Sequence, residues 1–165
     1  MASHRINLLA GALPDTSGNV FWKPSSVDDV NDRFPHLILA FKDSGTKISA
    51  SGQVTVPKNY VGTATVVGRW KTILTTGAVV FDLEYKAVAV AESLDPSTDD
   101  EALTVTDTAA GTARLAKDVT FTLTSANLAS DDTLLYKISR DGVEAADTLA
   151  GEAHLEELWL QYADA

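Results

Sequence analysis

The chain has 165 residues and no cysteine. This absence excludes disulfide bonds, zinc sites built on thiolates and catalysis by a cysteine nucleophile. It leaves the cellular compartment open, because a protein without cysteine folds equally well in reducing and oxidising surroundings. Packing must therefore supply the stability, and the length suits one domain with a sizeable core.

Basic residues are also scarce. The 13 lysines and arginines stand against 23 aspartates and glutamates, which gives a net charge of -10 and a pI near 4.5. Binding to phosphates needs a basic surface, so this balance argues against nucleic acid as a partner. The same charge disfavours nonspecific association with membranes. We expect neither a nucleic-acid partner nor a membrane partner.

Long apolar runs are missing as well. No stretch approaches the roughly 18 apolar residues of a membrane-spanning helix. Residues 1–11 contain a single arginine and a brief apolar patch, whereas a secretory signal has a basic start and an apolar stretch of roughly 7–15 residues. These features predict no signal peptide. If the protein acts outside a cell, we expect it to leave within an assembly or by lysis.

Residues that could form a catalytic or metal centre are sparse. The histidines His4, His36 and His154 lie in three distant segments, and none has a second histidine at a ligand spacing. The Gly-x-Ser-x-Gly motif of serine hydrolases does not occur. We therefore predict a non-enzymatic protein with no catalytic residue, no resident metal and no cofactor.

Acidic residues leave two weaker alternatives. Pairs of carboxylates could suggest glycoside hydrolysis, but in a chain with 23 acids such pairs are expected by chance. Asp95, Asp99 and Asp100 supply the hard oxygen ligands that calcium prefers, although their spacing is not that of an EF-hand loop. A solvated loop explains them equally well, so calcium stays open.

The sequence does contain segments in which apolar and polar residues alternate. In the segment from Val119 to Thr124, the residues Val119 and Phe121 alternate with threonines. Side chains on a strand alternate faces with period two, so this pattern predicts a sheet with one buried face and one exposed face. The strand predicted from Val79 to Ala91 loses its phase near Ala87, which predicts a β-bulge or a bend at which the strand switches sheets.

About eight such segments lie between residues 37 and 162. Eight antiparallel strands in two layers make a jelly-roll β-sandwich. An immunoglobulin-like sandwich is the main rival, but the Cys–Trp–Cys signature of antibody domains is absent. We predict an all-β antiparallel sandwich of the jelly-roll type, with residues 36–165 as the domain.

Residues 1–35 differ from the rest because proline, glycine, serine and aspartate interrupt them without periodicity. We interpret them as an extended N-terminal arm that covers the edge of the domain or reaches a neighbouring subunit, with a frayed terminus as the alternative for the first ten residues. Its apolar residues are candidates for that interface: Leu8, Leu9, Val20, Phe21 and Trp22.

Tryptophan and tyrosine residues offer a further candidate surface. Trp159 is out of phase with Leu158 and Leu160, so it should point away from the core and mark a subunit interface or a ligand platform. Trp70 is in phase with Val66 and is predicted to lie in the core. An alternative is that several aromatic rings stack on sugars, in which case they should form an exposed row.

Two longer stretches carry a family resemblance through their turns and strand ends. The first runs from Pro57 through the Thr75-Thr-Gly77 turn to Pro96, and the second runs from Ser125 through Arg140-Asp-Gly142 to Tyr162. Together they resemble small jelly-roll virion proteins of tailed bacteriophages, of the capsid-decoration, head-fibre or tail-appendage type.

This resemblance implies a structural protein on the exterior of a virion, assembled in the host cytoplasm. The implied partners are the major capsid protein or another virion protein and further copies of the chain, as a homotrimer. The implied function is cementing of the capsid through subunit contacts and the arm. The alternative is a glycan-binding head-fibre or tail-appendage module that attaches to a host glycan, and a small hydrolase or metal-dependent epimerase on the same fold is a third class.

Overall fold

A computed structural model describes residues 3–31 and 33–164, and within them the chain forms eleven strands and three single-turn 3₁₀ segments. The strands are β1 (Ser3–Asn7), β2 (Leu13–Pro14), β3 (Val20–Pro24), β4 (Leu37–Phe41), β5 (Lys47–Thr55), β6 (Tyr60–Lys71), β7 (Ala78–Val88), β8 (Glu101–Thr108), β9 (Lys117–Thr122), β10 (Thr133–Asp141) and β11 (Ala153–Asp164). None of the helical turns in the described residues has the length and apolarity to span a membrane.

The strands form two antiparallel sheets. Sheet 1 has the order β3-β4-β11-β6-β9, with β1 also paired to β11, and sheet 2 has the order β2-β5-β10-β7-β8. Every strand pair is antiparallel. The predicted all-β, jelly-roll sandwich is confirmed, with more strands than the expected eight.

The core lies between the sheets and follows the alternation in the sequence. Val119 and Phe121 are buried, while Thr120 and Thr122 on the same strand are exposed. At the centre, Phe81 meets Phe41 and Trp70 edge to face, with ring centroids 6.2 and 5.8 Å apart. Each such ring stabilises the fold by about 1.5–3 kcal/mol through removal from water.

The segment expected to be an extended arm supplies strands to both sheets. In the described residues, β1 pairs with β11, β2 pairs with β5 and β3 pairs with β4. β1 can pair with β11 because β4 covers only residues Ala153–Leu155 of that strand. The rest of that edge would be open, and an open edge recruits another strand. β1 closes it from Trp159 to Ala163.

The strand β7 has no bulge at Ala87. β7 pairs with β10 without a register shift as far as Val88, and beyond it Val90 is exposed to solvent. The change of phase there reflects the end of the strand. The register shifts occur in β11 instead, and one of them lies between Leu155 and Glu157.

Candidate functional site

An open groove of about 850 Å³ crosses the outer face of sheet 2 over β5, β10 and β7. Its floor consists of two rows of side chains that are direct cross-strand neighbours. The first row is Leu13, Ser51, Lys137 and Glu84, and the second is Gln53, Leu135 and Lys86. These positions face outward because the alternate residues on the same strands face the core.

The groove is bounded at both ends. On one side lies β2, where Leu13 is 71% exposed, and on the other lies the loop Pro96–Asp99. Asp100 anchors this loop, because its carboxylate accepts hydrogen bonds from Lys86 Nζ (2.6 Å) and from the backbone N–H of Ala87 (2.8 Å). At a strand spacing near 4.8 Å, four strands span about 14 Å, which suits a short extended ligand.

Lysines and carboxylates alternate along the groove. Lys47 Nζ lies 2.6 Å from Asp82 and 3.2 Å from Glu84, and Glu84 also pairs with Lys137. Burial alone would raise the pKa of Glu84, but the hydrogen bonds from Lys137 and Lys47 outweigh burial and lower it. The carboxylate therefore stays ionised and accepts hydrogen bonds throughout the neutral range.

Two tyrosines support the floor from below. Burial raises the pKa of Tyr136 to about 12, and its hydroxyl donates to the carbonyl oxygen of Leu8. The ring passes over Gly52, where any Cβ would collide with the Tyr136 hydroxyl. The Tyr85 hydroxyl donates to Glu101 Oε2 at 2.6 Å. Both rings are held in fixed positions, so the floor is preorganised.

A second recess of about 650 Å³ lies in sheet 1, between the end of β1 and the start of β4. It occurs where the register of β11 shifts at Glu156. Its lining is Asn7, Leu9, Ala10, Trp22, Leu37 and Glu156. Trp22 is half-buried there, and its indole N–H donates to the carbonyl oxygen of Ala12 at 3.3 Å.

Part of the outer face of sheet 1, around Lys71, His154 and Glu156, lies under residues 25–31 and 33–36, which we term the cover segment. Lys71 holds it in place, with Nζ 2.9 Å from Asp29 and 2.9 Å from Glu156. Arg114 Nε donates to the carbonyl oxygen of Asp28 at 2.7 Å. The cover segment has its own solvent-facing apolar residues: Val27, Val30 and Phe34.

One group beneath the cover segment has metal-binding residue types. His154 Nε2 lies 3.2 Å from Glu152 and 3.5 Å from Asp28, and these three ligand atoms lie within 4.8 Å of one another. The Lys23 ammonium forms ion pairs with both carboxylates. Burial, and then the charge of Lys23, lower the pKa of His154. The lysine therefore already neutralises part of the charge that a metal ion would neutralise.

Trp159 lies outside the core cluster, as its phase in the strand predicts, but it is covered by its own chain. Its ring lies between Arg5 and Arg69, whose guanidinium carbons are 4.5 and 5.4 Å from the ring centroid. Only 5% of Trp159 is exposed. Arg69 is fixed in turn by Asp118, at 2.8 and 3.0 Å. Trp159 is not a free platform in the monomer.

The other predicted interface residues divide into two groups. Leu8, Leu9 and Val20 are buried in the core of the same chain. Phe21 and Trp22 are half-buried. Among the tyrosine, tryptophan and phenylalanine residues that the structure describes, only Phe34 is mostly exposed. A row of exposed rings, as expected for a sugar platform, does not occur in the described residues.

The predicted calcium ligands do not converge. Asp100 is engaged by Lys86, and Asp99 lies at the groove without forming a metal-ligand cluster among the described residues. The groove residues on β5, β7 and β10 were not predicted from the sequence. The available signal was the set of polar residues that alternate with the core positions of these strands, for example Ser51 and Gln53.

Comparison with known proteins gives matches in structure only. No protein-family model and no curated protein sequence matches the chain. The similar solved structures include a family 35 carbohydrate-binding module from Clostridium thermocellum, with a TM-score of 0.54 and 10% identity over 97% of this chain and 98% of that chain.

Two further structures are similar over the whole chain. The C-terminal family 6 carbohydrate-binding module of the laminarinase LamC from Zobellia galactanivorans has a TM-score of 0.53 and 12% identity, over 98% of this chain and 100% of that chain. The xylan-binding domain CBM22-1 of Xyn10C from Paenibacillus barcinonensis has a TM-score of 0.52 and 12% identity, over 99% and 94%. At these identities the similarity shows a shared fold.

Proposed function

We propose that the protein is a non-catalytic glycan-binding module, and that it binds an oligosaccharide across the outer face of sheet 2. The observation that carries this proposal is the groove, where hydroxyl, amide, carboxylate and ammonium groups lie in register over three strands. Sugar hydroxyls both donate and accept hydrogen bonds, so a floor with both kinds of group complements them.

The apolar part of the groove supports the same proposal. Leu13 lies at one end of the groove, Leu135 lies in the middle and Pro96 lies at the other end. Aliphatic side chains at these places would cover the C–H faces of sugar rings between the polar contacts. With no exposed ring in the groove to stack on a sugar, we expect modest affinity that depends on hydrogen bonds.

The fold neighbours provide independent support. All three are carbohydrate-binding modules, and one of them is a xylan-binding domain. At 10–12% identity no ligand transfers from these proteins to this chain. They support the class of function, and the groove in this chain supplies the site.

The test is a binding measurement with a panel of soluble polysaccharides and the double variant Gln53→Ala/Lys137→Ala. If the proposal holds, the wild type binds at least one polysaccharide. The variant should then bind about tenfold or more weakly, because each lost hydrogen bond is worth about 0.5–1.5 kcal/mol. Isothermal titration calorimetry or affinity electrophoresis gives the dissociation constant.

A matched control is Gln161→Ala, on the outer face of sheet 1. Gln161 pairs with Arg5 on β1 and Thr65 on β6, far from the groove in the sheet order. Its affinity should equal that of the wild type. A folded wild-type protein that binds no polysaccharide, or equal loss in both variants, contradicts the proposal.

Placement on a virion stays a proposal derived from the family resemblance, and it agrees with a module that attaches to host glycans. Capsid cementing through the predicted arm would require Leu8, Leu9 and Val20 to leave the core of their own chain. Detection of the protein in intact particles by mass spectrometry tests the placement, and light scattering tests the predicted homotrimer.

A further inference from the structure

The charges in the groove define which class of glycan it accepts. Its lining and the ion pairs that reach it include the ammonium groups of Lys47, Lys86 and Lys137 and the carboxylates of Asp82, Glu84, Asp99 and Asp100. Four carboxylates against three ammonium groups leave a formal charge of -1. A uronate or sulfate would enter a groove with a slight excess of its own sign.

Each of the three ammonium groups already has a carboxylate partner. Lys86 lies 2.6 Å from Asp100, Lys47 lies 2.6 Å from Asp82, and Lys137 pairs with Glu84. An anionic sugar would have to compete with these partners. None of the described residues that line the groove is arginine, so the bidentate geometry that recognises a carboxylate is missing.

The paired lysines and carboxylates can still form hydrogen bonds with an uncharged ligand. An ammonium group has three donor positions and a carboxylate has about four acceptor positions, so one ion pair leaves sites free on both partners. Along the first row, Lys137 and Glu84 are adjacent across β10 and β7. They offer a donor and an acceptor side by side, which matches the adjacent hydroxyl groups of an uncharged sugar.

On the basis of the proposed function, we infer that the groove selects uncharged, hydroxyl-rich polysaccharides and discriminates against anionic ones. The net charge of -10 on the whole chain acts in the same direction, because it repels a polyanion before contact.

The experiment compares wild-type binding to xylan, mixed-linkage β-glucan and dextran with binding to polygalacturonate and alginate. We expect at least one neutral polysaccharide to bind, and its Kd should change by less than about twofold when salt rises from about 20 to 300 mM, because no net charge pairing is screened. Polygalacturonate and alginate should bind at least about tenfold more weakly at the same ionic strength, since the groove repels them.

A charge variant sharpens the test. Glu84→Gln/Asp99→Asn changes the groove from -1 to +1, and we expect its affinity for polygalacturonate to rise several-fold at about 150 mM salt, where charges act over only about 8 Å. The control Glu144→Gln/Glu157→Gln makes the same change in total charge away from the groove. Its affinity for polygalacturonate should stay within about twofold of the wild type, because distant exposed charges are screened.

The outcomes separate the two proposals. Preferential binding of an anionic polysaccharide by the wild type, with loss in the groove variants, overturns the selectivity and leaves glycan binding intact. An equal gain of polygalacturonate binding in both charge variants also overturns it, because net charge alone then decides. Absence of binding to every polysaccharide by folded protein overturns the glycan-binding function and the selectivity together.

Discussion

The two outer faces of the sandwich both carry lysine–carboxylate pairs, but the pair at Lys71 on sheet 1 is covered, whereas the pair at Lys137 on sheet 2 is open to solvent. On sheet 1 the cover segment lies over Lys71, whose side chain is 8% exposed. On sheet 2 the comparable Lys137 is 43% exposed at the floor of the groove. A lysine–carboxylate pair therefore stabilises the fold at Lys71, whereas at Lys137 it can form hydrogen bonds with a ligand.

The difference arises from the connections between strands. The chain between β3 and β4 folds back over sheet 1, where Ser25 and His36 bond through their backbones at 2.8 Å. The long connection between β7 and β8 stays at the end of sheet 2, because Asp100 fixes it to Lys86 and Ala87. The connection between β3 and β4 covers part of sheet 1, and the connection between β7 and β8 borders the groove. A ligand is therefore expected on sheet 2.

The largest expected effect concerns Lys71. Lys71→Ala leaves the carboxylates of Asp29 and Glu156 under the cover segment without their shared ammonium partner. Removing one partner of a buried ion pair typically costs about 3–5 kcal/mol, and the lower end of that range is expected here because Asp29 keeps Arg114 and Glu156 keeps His36 as partners. Urea denaturation should show a loss of this size in the free energy of unfolding.

The matched variant on the open face is Lys137→Ala. Its ion pair with Glu84 is partly solvated, and such pairs contribute about 0–1 kcal/mol. We expect the free energy of unfolding to fall by no more than about that amount. Equal losses in Lys71→Ala and Lys137→Ala would contradict the distinction between a covered face and an open face.

The next effect concerns Trp159, the buried ring on the outer face of sheet 1. Trp159→Ala removes the surface on which Arg5 and Arg69 stack. We expect a loss of about 3 kcal/mol, near the lower end for buried aromatic residues, because only the outer face and not the core is opened. Thermal and urea denaturation measure it.

Phe34→Ala is the control for this variant, because Phe34 is an aromatic residue on the cover segment with 80% exposure. A change within about 0.5 kcal/mol is expected for an exposed position. If Trp159→Ala were equally mild while the oligomer dissociated, Trp159 would be a subunit interface residue as its sequence position suggests.

Much of the fold is predictable from local alternation. Val119 and Phe121 are buried because the two-residue period places them on one face, and this requires no knowledge of the partner strand. A short strand near Ile6 could be anticipated, but the bounds and partner of β1 could not, because Ser3–Asn7 alternates only weakly and its place is set by the unpaired edge of β11 more than 140 residues later. Tertiary pairing decides such short strands.

The groove was not predictable for a related reason. Gln53, Leu135 and Lys86 are neighbours only through the registers of three strands that are distant in the sequence. Each residue alone is an ordinary polar or half-exposed position. By contrast, the outward direction of Trp159 follows from its own strand, whereas its burial depends on Arg5 from another strand.

The third effect is a pH dependence that arises from two histidines on the covered part of sheet 1. The pKa of His154 is lowered in the folded state by burial and by Lys23, so the unfolded chain binds more protons near that pKa. Stability should therefore fall as the pH decreases through about 6.5 and below, by about 1.4 kcal/mol for each unit between the two pKa values. Denaturation of wild type and His154→Gln at several pH values measures this slope, which the variant should reduce.

His36 gives the opposite sign on the same face. The carbonyl oxygen of Phe34 and the carboxylate of Glu156 raise the pKa of His36 in the folded state. Its contribution is present below the unfolded pKa and is lost as the pH rises through the folded pKa. His36→Gln should therefore remove stability at acidic pH. Identical slopes for the two histidine variants would show that the cover segment does not create these environments.

The smallest effect on stability and the most specific effect on function should come from Leu135→Ser in the groove. Leu135 is half-exposed on the outer face, between Gln53 and Lys86. We expect a change within about 1 kcal/mol in the free energy of unfolding, because little buried apolar surface is lost. Its affinity for a bound polysaccharide should fall several-fold, since the apolar contact in the middle of the groove is replaced by a hydroxyl. A large loss of stability would assign Leu135 to the core, and unchanged affinity would place the sugar elsewhere, with the recess at Trp22 as the next site to test.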